Sequence, residues 1–130
     1  MITWTKWLTV ASLTMTVAVS SSYAQEAIRK ELKRGDLTGT NMEVIVSSTE
    51  IKPGETSPRH FHHGEEAVYV LEGATVELPN SQQREFVVGS ANINVREVPH
   101  SGFKVVGDRT LKLITVHVVD KGKTLYNPAK

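Results

Sequence analysis

The 130-residue chain contains no cysteine, and neither sign of charge dominates it. Without cysteine, the protein can form no disulfide framework and carry no lipid on a cysteine, so one hydrophobic core must hold the domain together. The formal net charge is +1, from 15 basic and 14 acidic residues. Such a balanced surface argues against nucleic acid and against anionic membranes as partners. The length suits a single domain.

The apolar segment near the start of the chain is too short for a membrane-spanning helix. The uncharged stretch from Trp7 to Val19 has 13 residues, whereas a spanning helix needs about 20. Lys6 precedes this stretch, and Ser22-Tyr23-Ala24 follows it with small residues where a signal peptidase would cut. We therefore expect residues 1–24 to be a signal peptide cleaved after Ala24. The mature protein would then be periplasmic or secreted, without membrane contact.

From Met42 onward, short runs rich in valine and isoleucine alternate with turn residues. They predict strands over 42–51, 66–72, 75–78, 85–88, 91–98, 102–106 and 110–119. The last two are expected to pair as a hairpin across Gly107-Asp108-Arg109. Residues 25–40 are expected to form a polar arm, helical or extended around 27–32, and residues 121–130 a loose or covering tail. The pattern predicts an all-β sandwich or barrel over residues 41–120.

Four potential metal ligands occur within this β-rich region. His60 and His62 are two residues apart, so in a strand their side chains share a face, with Cα atoms about 6.6 Å apart. Glu66 opens the next predicted strand, and His100 follows a proline in a later turn. Neutral imidazole and carboxylate suit zinc, copper, iron, nickel or manganese. Four protein ligands leave coordination positions for water, dioxygen or a small-molecule substrate.

The spacing of these residues resembles the first signature motif of the cupin superfamily. That motif is a glycine, five residues, His-x-His, three residues, Glu, six residues and a second glycine. Every position is matched here, by Gly54, His60, His62, Glu66 and Gly73. The resemblance implies a single-domain cupin with a jelly-roll antiparallel β-barrel, covering most of residues 42–119.

The second cupin motif is only partly kept. Gly89 and His100 match it at the right separation, but Val95, Glu97 and Lys104 replace the expected proline, glycine and asparagine. The resemblance therefore implies His60, His62, Glu66 and His100 as the metal ligands. The three replacements remove the turn-forming residues of the second motif.

Other residues in and around the motifs are expected to have structural or surface roles. His63 is interpreted as a rim residue, and Glu65 as a substitute for Glu66 only if the strand register shifted. His117 is expected to be packed or exposed, with a role in the cavity as the less favoured alternative. Phe61, Tyr69 and Phe103 are expected to have packing roles. Arg59 and Arg96 are expected to be exposed to solvent rather than to bind an anion. Glu97 is expected at an exposed strand position.

Two classes of function fit this chain. One is a metal-dependent enzyme resembling quercetin-type and diketone dioxygenases, or a lyase or isomerase. The other is a non-catalytic periplasmic module that holds a metal or a small metabolite, because one barrel supports many functions. A chain that folds after export would take up zinc or copper most readily, and metal affinity should fall as the pH drops through about 6.5. Because cupin sheets commonly pair, the resemblance also suggests a homodimer.

Overall fold

The protein is described by a computed structural model that covers residues 27–130. The predicted signal peptide and its cleavage site lie outside the described residues, as does the start of the N-terminal arm. The described chain forms eleven strands. They are β1 Ile28–Leu37, β2 Met42–Ile51, β3 Thr56–Ser57, β4 His60–Phe61, β5 Gly64–Glu72, β6 Ala74–Glu77, β7 Gln83–Phe86, β8 Ala91–Asn94, β9 Phe103–Val106, β10 Leu111–Asp120 and β11 Asn127–Pro128.

These strands form three antiparallel sheets. The five-stranded sheet has the order β1-β2-β10-β5-β8, the four-stranded sheet the order β3-β9-β6-β7, and β11 pairs with β4. The predicted all-β class is confirmed. The predicted antiparallel β-barrel is not closed, because strand pairing within residues 27–130 leaves the sheets separate. The chain passes from one large sheet to the other at turns such as Gly73, where the strand ladder is interrupted. Residues 27–130 also contain no helix of the length and apolarity needed to cross a membrane.

The hydrophobic core lies between the two larger sheets. Both sheets contribute buried residues to it, namely Ile51, Val70, Leu111 and Leu113 from one and Ala74, Val76, Phe103 and Val105 from the other. Strand β10 alternates strictly between buried and half-buried residues. Its buried face begins with Leu111 and Leu113 and continues with Thr115 and His117. One face of one strand therefore runs from the apolar core into a polar region, where the candidate site lies.

Several local expectations are revised by the strand pairing. The hairpin predicted across Gly107-Asp108-Arg109 is wrong, because β9 pairs with β3 and β6 whereas β10 pairs with β2 and β5. The arm left open as helical or extended is the edge strand β1. The strand predicted over 91–98 ends at Asn94, and the predicted tail is a covering segment whose strand β11 pairs with β4.

Candidate metal centre

The fold brings the four predicted ligands into one cluster. His60 lies in β4, His62 follows it, and Glu66 lies in β5. His100 reaches the cluster through an isolated antiparallel bridge to His60, with backbone hydrogen bonds of 3.1 and 2.8 Å in the two directions. One potential ligand atom from each of the four residues lies within 4.8 Å of the others. His60, His62 and Glu66 are buried, and His100 is half-buried.

Three backbone carbonyls orient the imidazole rings. The Nδ1 atom of His60 lies 2.6 Å from the Pro58 carbonyl, and that of His100 lies 3.0 Å from the Val98 carbonyl. The Nδ1 atom of His62 lies 2.5 Å from the carbonyl of Leu125, in the C-terminal segment. A carbonyl only accepts, so each Nδ1 carries the hydrogen. Each neutral ring therefore presents an unprotonated Nε2, the arrangement that commonly supports metal-binding histidines.

The close approach of the Nε2 atoms favours a bound cation. His62 Nε2 and His100 Nε2 are 3.1 Å apart, and two lone pairs at this distance repel each other. His60 Nε2 is buried and has no hydrogen-bond partner among residues 27–130. A proton on one ring relieves part of the repulsion, whereas a metal ion satisfies all three nitrogens. Three imidazoles and one carboxylate are a donor set that fits a divalent transition metal.

Glu66 is held from several sides. Its Oε2 accepts a hydrogen bond from Asn94 Nδ2 at 2.7 Å and lies 3.1 Å from His100 Nε2 and 3.4 Å from His62 Nε2. Its Oε1 lies 3.2 Å from Nε2 of His117, a fully buried residue on β10. Of the alternatives left open for His117 the packed position is the one found, and its contact with Glu66 makes it part of the cluster's surroundings. Strand alternation was the only sequence signal for this, since it places His117 on the face of Leu113.

The charges in the cluster follow from burial and from these contacts. Burial opposes ionisation of Glu66, but His100, His117 and His62 outweigh it and hold the pKa of this carboxyl well below its usual range. Burial lowers the pKa of His60 to about 4, so that this ring is neutral. Burial also lowers the pKa of His117. Burial opposes protonation of His100 as well, yet Glu66 and the Val98 carbonyl raise its pKa above the usual value. A charged carboxylate thus faces mostly neutral rings.

Tyr126 covers the cluster from the C-terminal segment. The centroid of its ring lies 4.7 Å from that of His60 and 5.1 Å from that of His62. Burial and the nearby Glu66 carboxylate raise the pKa of Tyr126 to about 12, so its hydroxyl is protonated. The tyrosine and the Leu125 carbonyl make the C-terminal segment part of the site. Sequence reasoning predicted only that this segment could cover the domain.

A cavity of about 800 Å³ opens beside the cluster, and His60, Glu66 and Tyr126 contribute to its wall. This volume is within the range of small-molecule sites. Much of the remaining wall is apolar, including Ile51, Val68, Val70, Phe86, Phe103 and Leu113. A ligand in this cavity would meet the metal cluster on one side and hydrophobic side chains on the other.

The other residues considered in the sequence lie outside the cluster. His63 is half-buried, and its Nδ1 lies 3.3 Å from Glu97 Oε1. Glu65 is exposed, so the register favours Glu66. Arg96 makes a paired interaction with Asp120, with distances of 3.0 and 2.8 Å, whereas Arg59 lines the cavity. Among the aromatics predicted to pack, Phe103 is in the core, Phe61 is half-buried, and Tyr69 is exposed.

The turn before His100 has a left-handed backbone at Glu97, the position where the motif has glycine. Glu97 is exposed, as predicted, but it lies in a turn rather than a strand and has a φ of 60°. Glycine adopts this left-handed conformation at little cost, whereas a residue with a side chain is strained in it. The Glu97 amide donates to the His62 carbonyl at 2.9 Å, which ties the turn to the ligand segment. Lys104, the replacement for asparagine, is exposed on β9.

Comparison with known families gives a match over most of this architecture. The family described as "Cupin domain" matches residues 47–117, which include all four clustered residues and His117. Comparison with functionally curated proteins gave no significant match.

Solved structures share the fold. The polyketide cyclase RemF from Streptomyces resistomycificus is 26% identical, with a TM-score of 0.60 over 82% of this chain and 73% of that one. A conserved Klebsiella pneumoniae protein with a double-stranded β-helix domain is 20% identical, with a TM-score of 0.59 over 80% and 86% of the two chains. A cupin domain from Bordetella pertussis is 15% identical, with a TM-score of 0.52 over 74% and 96%.

Proposed function

Because the chain belongs to the cupin-domain family, we propose that His60, His62, Glu66 and His100 hold one divalent transition metal. We further propose that the protein is a metal-dependent enzyme acting on a small oxygen-bearing molecule in the adjacent cavity. The observation that carries the proposal is the convergence of three oriented Nε2 atoms and a carboxylate at the wall of a cavity of about 800 Å³. Zinc, copper, iron, nickel and manganese all suit this donor set.

When bound, the ion would supply Lewis-acid or redox activation of an oxygen-bearing ligand. The chain's own residues have separate tasks. The carbonyls of Pro58, Val98 and Leu125 fix the imidazole tautomers, while Asn94 fixes the Glu66 carboxylate by a hydrogen bond and His117 packs against it. Tyr126 packs against the rings of His60 and His62, and the apolar wall would bind the body of the ligand.

Two reaction classes follow from different observations. Oxygenation of a flavonol, catechol or β-diketone is the class predicted from the motif, as in quercetin-type and diketone dioxygenases. Non-oxidative chemistry of a lyase, isomerase or cyclase is supported by the similarity to a polyketide cyclase at 26% identity. The two classes differ in one measurable respect, since only the first consumes dioxygen.

The first experiment measures metal content by mass spectrometry in wild-type protein and in the double variant His60→Ala/His62→Ala. We expect about one equivalent of metal in the wild type and none in the variant. The control is His63→Ala, which removes the neighbouring half-buried histidine outside the cluster and should retain the metal. Equal metal content in the wild type and the double variant would rule out the proposed ligands.

Activity is then measured with metal-loaded protein on flavonols, catechols and β-diketones, with and without oxygen. Oxygen uptake that is lost in the double variant supports the oxygenase. Product formation without oxygen supports the non-oxidative class. If bound metal and bound ligand produce no turnover, the protein is a non-catalytic binding module, the alternative that the sequence left open. Periplasmic or secreted location and homodimer formation stay predictions.

A further inference from the structure

Arg29 is a charged residue on the inner face of an edge strand. In the five-stranded sheet Arg29 pairs with Thr49, Thr49 with Leu113, and Leu113 with Val70. Directly paired residues in a sheet point to the same face. Val70 and Leu113 are buried in the core, so Arg29 points inward, and all four residues line the cavity. The neighbours of Arg29 on the strand, Ile28 and Lys30, are exposed.

The guanidinium of Arg29 lacks a hydrogen-bond acceptor in the described part of the chain. Its Nε and Nη2 atoms are buried and make no hydrogen bond to any of residues 27–130. A nearby carboxylate oxygen, Oε2 of Glu31, is 3.8 Å from Nη2, too far for a hydrogen bond. Glu31 is instead bound by Arg34 through two hydrogen bonds of 3.0 and 2.9 Å. Buried N–H groups of a cation that lack an acceptor are costly, and a carboxylate on a ligand would satisfy these two.

The position of Arg29 also relates it to the metal cluster. Its Cζ atom lies 5.6 Å from the centroid of the Tyr126 ring, and that ring is 4.7 Å from the His60 ring. The guanidinium therefore lies over the tyrosine ring, and its Nε and Nη2 atoms keep no hydrogen-bond partner among residues 27–130. Arg29 and His60 thus both contact Tyr126 and line the same cavity as Glu66, so one small ligand in that cavity could meet Arg29 and the cluster together.

The charges on the cavity wall favour an anion. Glu66 is the only acidic residue among the described residues that line the cavity, whereas Arg29, Arg59 and Arg84 all line it. A divalent ion in the cluster would make the cavity more positive. The apolar part of the wall limits how many polar groups the ligand can bring in. These features fit one carboxylate on a largely apolar body better than a strongly hydrated phosphate.

We propose that Arg29 binds the carboxylate of the ligand, and that the substrates are small organic carboxylates with metal-coordinating oxygens at their other end. This inference deepens the proposed function. It rests on the proposed metal site only for the end of the ligand that carries the metal-coordinating oxygens. Arg29 would thus determine specificity, by selecting anionic over neutral molecules of the same shape.

The test compares 3,4-dihydroxybenzoate with 3,4-dihydroxybenzamide, which have the same shape and the same metal-coordinating hydroxyls. Their dissociation constants are measured by calorimetry on metal-loaded wild type, Arg29→Gln and Arg29→Lys. Wild type should bind the carboxylate about 10–100-fold more tightly, as a charge-assisted hydrogen-bonded pair requires. In Arg29→Gln the two constants should become nearly equal through weaker carboxylate binding, with the amide unchanged. Arg29→Lys should retain part of the preference.

The matched control is Arg84→Gln, which removes the same charge from an exposed position on the same cavity wall. It should retain the preference for the carboxylate. Equal binding of the two probes by wild type overturns the proposal, and so does a preference that survives Arg29→Gln or disappears in Arg84→Gln. Inward charges also protect sheet edges. If Arg29 only protects the edge of the sheet, Arg29→Gln will aggregate, whereas Arg29→Lys will bind each probe with the wild-type dissociation constant.

Failure of the metal proposal would be seen separately. The double variant His60→Ala/His62→Ala should bind both probes more weakly but still prefer the carboxylate, because Arg29 is intact. If wild type contains no metal and nevertheless prefers the carboxylate, the Arg29 site stands and the metal site does not.

Discussion

Three histidines of the cluster give their Nδ1 hydrogens to backbone carbonyls, at Pro58, Val98 and Leu125. A carbonyl cannot donate, so the tautomer of each neutral ring is fixed before any ion arrives. The cost of ordering the rings is then met during folding rather than during metal binding. Only a proton competes with the metal for each Nε2 atom, which makes metal affinity depend on pH.

The pH at which this competition begins should be set by His100. Its pKa is raised above the usual 6.5, whereas that of His60 is lowered to about 4. As the pH falls through the pKa of His100, a proton occupies the nitrogen that must bind the ion. Affinity should therefore begin to fall above pH 6.5, by about tenfold per pH unit. Titrations with zinc between pH 5.5 and 8.5 measure this, and constant affinity from pH 8 to 6 would exclude His100 as the competing group.

Two glycines of the first motif serve different purposes. Gly54 has a φ of 88°, in the left-handed region of the turn after β2. At Gly73 an added Cβ would collide with the Phe86 carbonyl oxygen and lie 3.2 Å from the Val88 amide nitrogen. One position therefore needs glycine for its backbone conformation, and the other needs it because there is no space. Gly64, outside the motif positions, is restricted in the same way as Gly73.

Gly64→Ala should destabilise the fold. Its new Cβ would overlap the Val118 carbonyl oxygen and lie 2.6 Å from the Val119 Cα, so β5 and β10 would have to separate beside Glu66. We expect a loss of about 1–3 kcal/mol in the free energy of unfolding, measured in urea. Gly35→Ala on β1 is the control, because nothing lies within 4 Å of its added Cβ. It should be neutral or stabilising by up to about 1 kcal/mol, and equal effects would contradict the packing argument.

At the residue scale, local spacing predicted four members of the cluster and missed those that depend on long-range pairing. His60, His62 and Glu66 are close in sequence, and His100 was found through the motif. His117 faces Glu66 only because β10 pairs with β5 in one particular register. Arg29 faces the cavity because an arm of undecided structure is the edge strand of a sheet. Neither register can be derived from local periodicity.

Among the elements, the C-terminal segment is the one that links the chain's end to the cluster. Strand β11 pairs with β4, the Leu125 carbonyl accepts from His62, and Tyr126 covers the rings. Each of these contacts joins the C-terminal segment to a residue of the first motif that lies more than sixty positions earlier in the sequence. Sequence patterns predicted β2 with its correct bounds, since its valines and isoleucines are local. They could not predict this segment's docking or the pairing of β9, which depend on distant partners.

Deleting residues 124–130 should weaken metal binding while leaving the two larger sheets intact. The deletion removes the carbonyl that orients His62, and loss of such a partner typically costs about 10–100-fold in metal affinity. Competition with a chelating dye measures the affinity, and circular dichroism checks the fold. Deleting Lys130 alone is the control and should change nothing. Unchanged affinity in the longer deletion would show that the segment covers the cluster without supporting it.

In the molecule as a whole, a bound ion would cross-link parts of the chain that are close together only in the folded state. The ligands come from β4, β5 and the turn at His100, and the C-terminal segment holds one of them. The unfolded chain keeps no such arrangement, so binding energy adds to folding stability. Free metal at a hundredfold excess over Kd should add about 2.7 kcal/mol. For a domain of this size the Tm should rise by about 10–20 °C.

Scanning calorimetry of metal-loaded and chelator-treated protein measures this difference. The double variant His60→Ala/His62→Ala should have one Tm, the same with and without metal, whereas His63→Ala should show the full wild-type difference. The comparison also separates the two roles of the cluster. If the wild-type protein keeps its Tm after its metal has been removed, the cluster folds without the ion. The repulsion between His62 Nε2 and His100 Nε2 would then be relieved by the proton that Glu66 holds on His100.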